Sequence, residues 1–194
     1  MKIEPNIVQS TEKADQVAVM LIDVQQSLLK GIDNRNELLD ALNILIRSTK
    51  ILDLPLLVTE QVPQKLGPTD PALLSITSAI QPVAKTSFSI FGCAEIREKL
   101  EKEKIVHLIL SGLETPICIY LSAIDALKAG IEVTILSDCI GARRAIDAAV
   151  TLTKLQNAGC HVIPLESFLF GYLGSSEHSQ FKDISNLVRN RKII

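Results

Sequence analysis

"KIVHLILSGLETPICIYLSAIDALKAGIEVTILSD", residues 104–138, is the stretch that decides the fold. It opens on an aliphatic run that ends at Gly112, as a strand buried on both faces would. Ile117, Tyr120, Leu121, Ile124 and Leu127 then recur three or four residues apart, the spacing of a helix that buries one face. Thr115 stands where an N-cap is expected, and Pro116 at the first helical position, where no amide hydrogen is needed. Gly130 closes the helix, and residues 131–138 form a second apolar strand. Two apolar strands joined through a helix imply parallel pairing with a right-handed crossover.

The same alternation runs through the rest of the chain. Strands are expected at 16–23, 54–60, 81–89, 104–112, 131–138 and 160–167. Helices are expected at 33–53, 70–80, 93–103 and 142–159, with a short one at 168–174; Asp70 and Pro71 form an N-cap and first-position pair. Residues 61–69, with Gly67 and two prolines, read as a loop. The expected fold class is α/β: a three-layer α/β/α domain with a six-stranded, mainly parallel sheet of Rossmann-like type. At 194 residues the chain fits one domain, 1–194, with an N-terminal extension at 1–15 and a C-terminal tail at 175–194. That tail carries a small basic cluster at Arg189, Arg191 and Lys192, too short to make a nucleic-acid site by itself. "FLFGYLG", residues 168–174, fits equally a segment packed under the sheet and an exposed contact patch.

Composition narrows the function. Hydrophobic residues make up 47% of the chain and mean hydropathy is +0.27, as suits a sheet covered on both faces. No apolar run is long enough to span a membrane, so no membrane partner is expected. The formal net charge of −2 gives no reason to expect nucleic acid as a partner. The first fifteen residues lack the apolar core of a signal peptide and the Arg-rich, acid-poor character of a transit peptide. A cytoplasmic protein is the expectation, with a mitochondrial association left open. Cys93, Cys118, Cys139 and Cys160 are far apart with no C-x-x-C pair, which suits a reducing compartment. His107, His161 and His178 are scattered as well, and neither a metal nor another cofactor is expected.

Ligands of open parallel sheets collect beyond the C-terminal ends of the strands. Asp23 ends the first strand in "LIDVQ", Lys85 ends the third in "PVAKTSFS", and Cys118 follows the fourth. Singly, each has a bland explanation as a cap, a solvated charge or a packed thiol. Together they supply a carboxylate that can take a thiol proton and a cation that can hold a thiolate. A helix N-terminus would also lower the thiol pKa. Cys118 is therefore expected to be the most reactive thiol, with Cys93, at the start of another helix, as its rival.

At these residues the chain resembles the isochorismatase-like cysteine hydrolases, within them the isochorismatase domain-containing, non-nicotinamidase subgroup. The likeness spans residues 16–174 and rests on "LIDVQ", "LLVTEQVPQKLGPT", "AKTSFSIFG", "SGLETPIC", "LKAGIEVTILSD" and "LQNAGCHVIPLESFLF". It implies a catalytic Asp23-Lys85-Cys118 triad and a non-proline cis peptide joining Leu113 to Glu114. It also implies an oxyanion hole from the backbone amides of Glu114 and Cys118, and a substrate pocket at Gln25, Leu28 and Phe88. Family members are commonly oligomeric, so a homo-oligomer, dimer or tetramer, is expected. Nicotinamidases hold a metal through an Asp-x-His pattern after the second strand; here that stretch has Glu60 and Gln61 and no histidine. Isochorismatase proper lacks the cysteine. Leu28 replaces a frequent aromatic, and Pro116 stands where many relatives carry a histidine.

The resemblance thus implies a metal-independent amidohydrolase that cleaves a small amide C–N bond through a Cys118 thioester. Its alternatives are a non-catalytic or redox-sensitive scaffold that retains the triad, and a nuclease-type hydrolase. The last fits less well, because the sequence offers neither a carboxylate cluster for divalent metal nor a histidine pair.

Overall fold

In the computed structural model, which describes residues 16–77 and 80–191, six strands form one parallel sheet in the order β3-β2-β1-β4-β5-β6. The N-terminal extension at 1–15, residues 78–79 of the helix expected at 70–80, and Lys192 lie outside the described residues. The strands are β1 (Val17–Ile22), β2 (Leu56–Gln61), β3 (Val83–Lys85), β4 (His107–Leu113), β5 (Glu132–Gly141) and β6 (His161–Ile163). Between and after them run α1 (Gln26–Leu29), α2 (Arg35–Ile51), α3 (Pro63–Leu66), α4 (Pro71–Thr77) and α5 (Ala94–Lys102), then α6 (Tyr120–Lys128), α7 (Ala145–Asn157), α8 (Leu165–Leu173) and α9 (Phe181–Arg189).

Alternation along β1 explains the layering. Val17, Val19 and Leu21 face α2, α4, α8 and α9, whereas Ala18, Met20 and Ile22 face α5, α6 and α7. All six residues are buried, which is why the strand reads as continuously apolar rather than alternating. On the first side Leu38, Leu42 and Leu45 of α2 meet Phe168 of α8 and Ile184 of α9 in one cluster. On the second, Ile96 and Leu100 of α5 join Ala123 and Ala126 of α6.

Several local expectations change. Thr115 is not an N-cap: its buried hydroxyl donates to the Gly141 carbonyl at 2.9 Å, and Glu114 takes the cap position without a side-chain bond. A π-helical turn spans Thr115–Ile119 before α6 begins at Tyr120. The fifth strand continues to Gly141, because Ile140 and Gly141 pair with Gly112 and Leu113 beyond a register irregularity in β4. Asp138 thus lies inside β5 rather than at its end, and Cys139 lies within the strand instead of following it. The expected loop at 61–69 contains the single turn α3, entered through Val62 in the left-handed region (φ 39°).

Residues 175–194, expected to be a tail, contain α9. Ile184 is buried, and Arg191 Nη1 lies 2.5 Å from Asp138 Oδ2, fastening the chain end to β5. The other Asp138 oxygen accepts the Leu165 amide at 2.7 Å, so one carboxylate ties α8 and α9 to the sheet. In "FLFGYLG" the packed reading prevails. Phe168, Leu169 and Leu173 are buried, and the more exposed Phe170 lies 6.2 Å, centroid to centroid, from the ring of Phe181.

Candidate active site

The strand order reverses between β1 and β4, so their crossovers depart to opposite faces and open a crevice at the C-terminal edge. Asp23 follows β1 directly, with φ 53°. Gln61 and Lys85, the last residues of β2 and β3, are register partners and project to the same face. Cys118 sits in the π turn after β4. The peptide bond between Leu113 and Glu114 is cis.

Lys85 is the hub of the site. Its Nζ donates to Asp23 Oδ2 at 2.6 Å and Gln61 Oε1 at 2.6 Å, and to the Ser87 and Phe88 carbonyls at 3.1 and 3.3 Å. Cys118 Sγ lies 3.9 Å away. The side chains of Asp23 and Lys85 are wholly buried, so their charges are compensated by each other and by these hydrogen bonds. The Thr59 hydroxyl donates to Asp23 Oδ1 at 2.8 Å, and Gln61 Nε2 donates to the Thr86 carbonyl at 2.8 Å. The donors that orient the carboxylate and the acceptors that orient the ammonium come from the C-terminal ends of β1, β2 and β3 or the residues just beyond them.

The thiol does not behave as a helix N-terminus alone would dictate. Burial first, then the negative charge of Asp23, push the Cys118 pKa from 9.0 up to about 12, against the lowering by Lys85. The S–H is hydrogen-bonded to Asp23, and the backbone of Glu114 supplies a bond that favours the charged form. At rest this is a protonated thiol with its acceptor in place. Ionisation therefore has to be coupled to attack.

Labelling should follow access and a coupled base instead of acidity. Cys93 is the half-exposed thiol; Cys139 is fully buried with its pKa held well up, and Cys160 is pushed up to about 11. A bulky maleimide is expected to modify Cys93 first. A small neutral electrophile such as acrylamide should instead modify Cys118, and lose that preference in Asp23→Asn at neutral pH. Peptide mapping after brief exposure to each reagent reads both outcomes.

A cavity of about 340 Å³ opens beside the sulfur. Leu28, Phe88 and Ile117 give it apolar walls, and Glu114, Cys118 and Arg143 supply polar ones. Phe88 is 54% exposed at its edge. Gln25, expected in the pocket, lies behind the wall: its amide nitrogen donates to the carbonyls of Gln61 and Gly67, and its oxygen accepts the Gln61 amide at 2.8 Å. It positions Gln61, and Gln61 positions Lys85. A larger cleft of about 500 Å³ between α2 and α9 contains none of these groups.

Four participants were not assigned from the sequence. Thr59 and Gln61 belong to the strand-end segment "LLVTEQ", whose register against "PVAK" carries the only sequence signal for them. The Glu114 carboxylate and Arg143 form an ion pair at 2.8 Å across 29 residues, which no local pattern encodes. Among the described residues no group of three His, Cys, Asp or Glu side chains could hold a metal ion. Glu60 itself is occupied, its Oε1 accepting from the backbone and hydroxyl of Thr69 at 2.7 and 2.9 Å.

Comparison with known proteins places this geometry. A profile of the Isochorismatase domain family matches residues 17–167. Isochorismatase domain-containing protein 2A of Mus musculus is 29% identical over 171 residues, covering 88% of this chain and 82% of its own. Among solved structures, the MAR1 ribonuclease of Caenorhabditis elegans matches with a TM-score of 0.86 at 27% identity, over 93% of this chain and 94% of its own. The YcaC gene product of Escherichia coli, an octameric hydrolase of unknown specificity, matches with a TM-score of 0.87 at 18% identity, over 96% and 92% of the two chains.

Proposed function

The chain belongs to the isochorismatase family, and from that premise we propose that it is a cysteine-dependent hydrolase of small amides, with Asp23, Lys85 and Cys118 as its catalytic triad. One observation carries the reading. A buried carboxylate bonded to a buried ammonium meets a protonated thiol at the wall of a cavity of small-molecule size.

In the reaction so read, Asp23 accepts the Cys118 proton as the sulfur attacks the amide carbonyl carbon. The backbone N–H groups of Glu114 and Cys118 stabilise the oxyanion of the tetrahedral intermediate. Asp23 returns the proton to the leaving nitrogen, the C–N bond breaks, and an acyl thioester remains on Cys118. Water then attacks that thioester with Asp23 as base. The C–S bond breaks, the proton returns to sulfur, and a carboxylic acid departs. Lys85 holds Asp23 in place throughout and pairs with its charge whenever the proton has left it, so the relay runs without histidine. No step draws on a metal or another cofactor.

A panel of small amides tests the proposal. Intact-mass measurement during turnover should find an acyl adduct that maps to Cys118, with ammonia or an amine released in proportion to acid. Turnover undiminished in Cys118→Ala would sink it. A second reading, ribonuclease activity, is favoured by the likeness to the C. elegans MAR1 ribonuclease. RNA cleavage that co-purifies with the protein and vanishes in Cys118→Ala or Asp23→Asn would support it over amide hydrolysis.

Among the described residues no helix is long and apolar enough to cross a membrane. The assembly proposed is a homo-oligomer, supported by the exposed apolar Leu121 of α6 and Ile146 and Val150 of α7. The four free cysteines are in keeping with a cytoplasmic setting.

A further inference from the structure

Lys85 starts far from the strand that leads to its sulfur partner. β3 is a three-residue edge strand paired with β2, and it lies three strand spacings, about 14 Å, from β4. The ammonium crosses that span on a flexible four-carbon stem. Its three N–H donors face four oxygen acceptors besides the Cys118 sulfur. Its resting place therefore depends on where those acceptors are held. Asp23 and Gln61 are held at the ends of β1 and β2, but the Ser87 and Phe88 carbonyls belong to a loop beyond the end of β3.

Helix α6 fastens that loop. The hydroxyl of the wholly buried Ser122 accepts the Ile90 amide at 3.1 Å. Ser89, the residue before Ile90, is hydrogen-bonded to Asp125, three residues further along the helix. Its hydroxyl also accepts the Phe91 amide at 3.2 Å. Inside the loop, the Ser87 hydroxyl donates to the Ser89 carbonyl at 2.9 Å. Gly92 leaves room for that brace, since a Cβ there would stand 2.4 Å from the Ser87 Cβ. Cys118 lies on the π turn that runs straight into α6, four residues before Ser122. One element thus carries the sulfur and, about one helical turn on, the anchor of the loop whose carbonyls hold the ammonium.

We propose that Ser122 is a positioning residue: it pins the loop 87–92 to α6 and, through the Ser87 and Phe88 carbonyls, sets the 3.9 Å separation between the Lys85 ammonium and the Cys118 sulfur. The proposal rests on the triad reading for its purpose, because a cation at that distance stabilises the negative charge that develops on the attacking sulfur. Asp125 reinforces the anchor, but its side chain is 38% exposed and also bonded to Lys128. The buried bond at Ser122 is the stronger restraint. Without the hydroxyl, the Ile90 amide is left in the core with its acceptor gone, and the loop has to move to satisfy it.

The test reads the thiol rather than amide turnover, so its failure and that of the hydrolase reading are distinct. The rate at which acrylamide modifies Cys118 in the full chain is measured by peptide mapping at neutral pH, where each variant is folded. Ser122→Ala is expected to slow it by about tenfold, the equivalent of one pKa unit at the sulfur. Gly92→Ala, which pushes on Ser87 from the other end of the loop, should slow it as well. Ala126→Gly, which loosens α6 but keeps both loop anchors, is the stability control and should leave the rate unchanged. In a Lys85→Met background, Ser122→Ala should have no further effect, because the group it positions is gone. Modification at the wild-type rate in either loop variant overturns the proposal. So does an equal slowing in Ala126→Gly, or a full Ser122→Ala effect in the absence of Lys85. If the rates behave as expected but amide turnover survives Cys118→Ala, the hydrolase reading fails and the positioning role stands.

Discussion

Replacing Asp23 with Asn is expected to lower amide turnover by about 10²–10⁴-fold at every pH, the usual worth of a positioned acid–base group. The reason lies in the protonated state of the nucleophile. With the Cys118 pKa held at about 12, sulfur becomes nucleophilic only by passing its proton on during attack, and Asp23 is the acceptor in contact. Asn accepts a hydrogen bond but not a proton. It also cannot protonate the leaving nitrogen, so the collapse of the intermediate fails along with its formation. The thiol itself should move the other way. The charge and hydrogen bond of Asp23 both raise its pKa, and Lys85 lowers it, so Asp23→Asn brings the pKa down from about 12. The variant should therefore lose base-coupled alkylation of Cys118 at neutral pH, regain it in alkaline medium at a pH below the wild-type thiol pKa, and keep its turnover low throughout. A pH series with iodoacetamide alongside an ammonia-release assay separates the two effects. If turnover in Asp23→Asn stays near that of the wild type, the proposed relay is wrong.

Lys85→Met should shift the thiol in the opposite direction. Removing the cation alone leaves burial and the Asp23 carboxylate unopposed, which pushes the pKa further up and demands a more alkaline medium for alkylation. Stability should also be affected unequally. Asp23→Asn leaves Lys85 with Gln61 and two backbone carbonyls as acceptors. Lys85→Met leaves a wholly buried carboxylate with the Thr59 hydroxyl and a thiol as its side-chain partners among the described residues. Breaking such a pair from the cationic side costs about 3–5 kcal/mol, and urea unfolding should rank Lys85→Met as the less stable of the two.

These contrasts show how much of the site was legible in the chain. Asp23, Lys85 and Cys118 could be found because strand ends in a parallel sheet share one edge, and strands announce themselves by apolar runs. Parallel pairing follows from the alternation of elements and the right-handed crossover, whereas the order β3-β2-β1-β4-β5-β6 rests on strand pairing that no local pattern encodes. Gln61 and Arg143 were not legible in the same way. Their partners lie 24 and 29 residues away, and it is register and loop path that bring each pair together. The acidity of Cys118 was misjudged because a helix terminus is a local feature, whereas burial and the charge of Asp23 are properties of the assembled site. Helix α9 has a legible signal that its surroundings mask: Phe181, Ile184, Leu187 and Val188 recur at helical spacing within a segment whose polar flanks suggest a tail.

Gly112→Ala should destabilise the protein by about 3 kcal/mol or more, an overpacking effect at the centre of the sheet. Gly112 is the register partner of Ile22, at a close approach of β4 to β1. A Cβ at this position would lie 2.1 Å from the Ile22 carbonyl oxygen and 2.7 Å from its nitrogen, and the obstruction is backbone, which no rotamer change can relieve. Its φ of +110° adds backbone strain for any L side chain, independently of the clash. Gly67, Gly130 and Gly159 provide the control: each has positive φ, but an added Cβ meets no atom within 4 Å, so alanine there should cost only the positive-φ backbone penalty of about 1–3 kcal/mol. Activity should follow stability at Gly112 alone. Asp23 is the residue after Ile22, and Glu114 and Cys118 lie a few residues beyond Gly112, so forcing the two strands apart separates acceptor from nucleophile. Urea midpoints for the four alanine variants, with ammonia release measured well below each midpoint, decide the matter. If Gly112→Ala unfolds alongside the three controls and retains its turnover, the close approach of β1 and β4 is not what holds the triad in place.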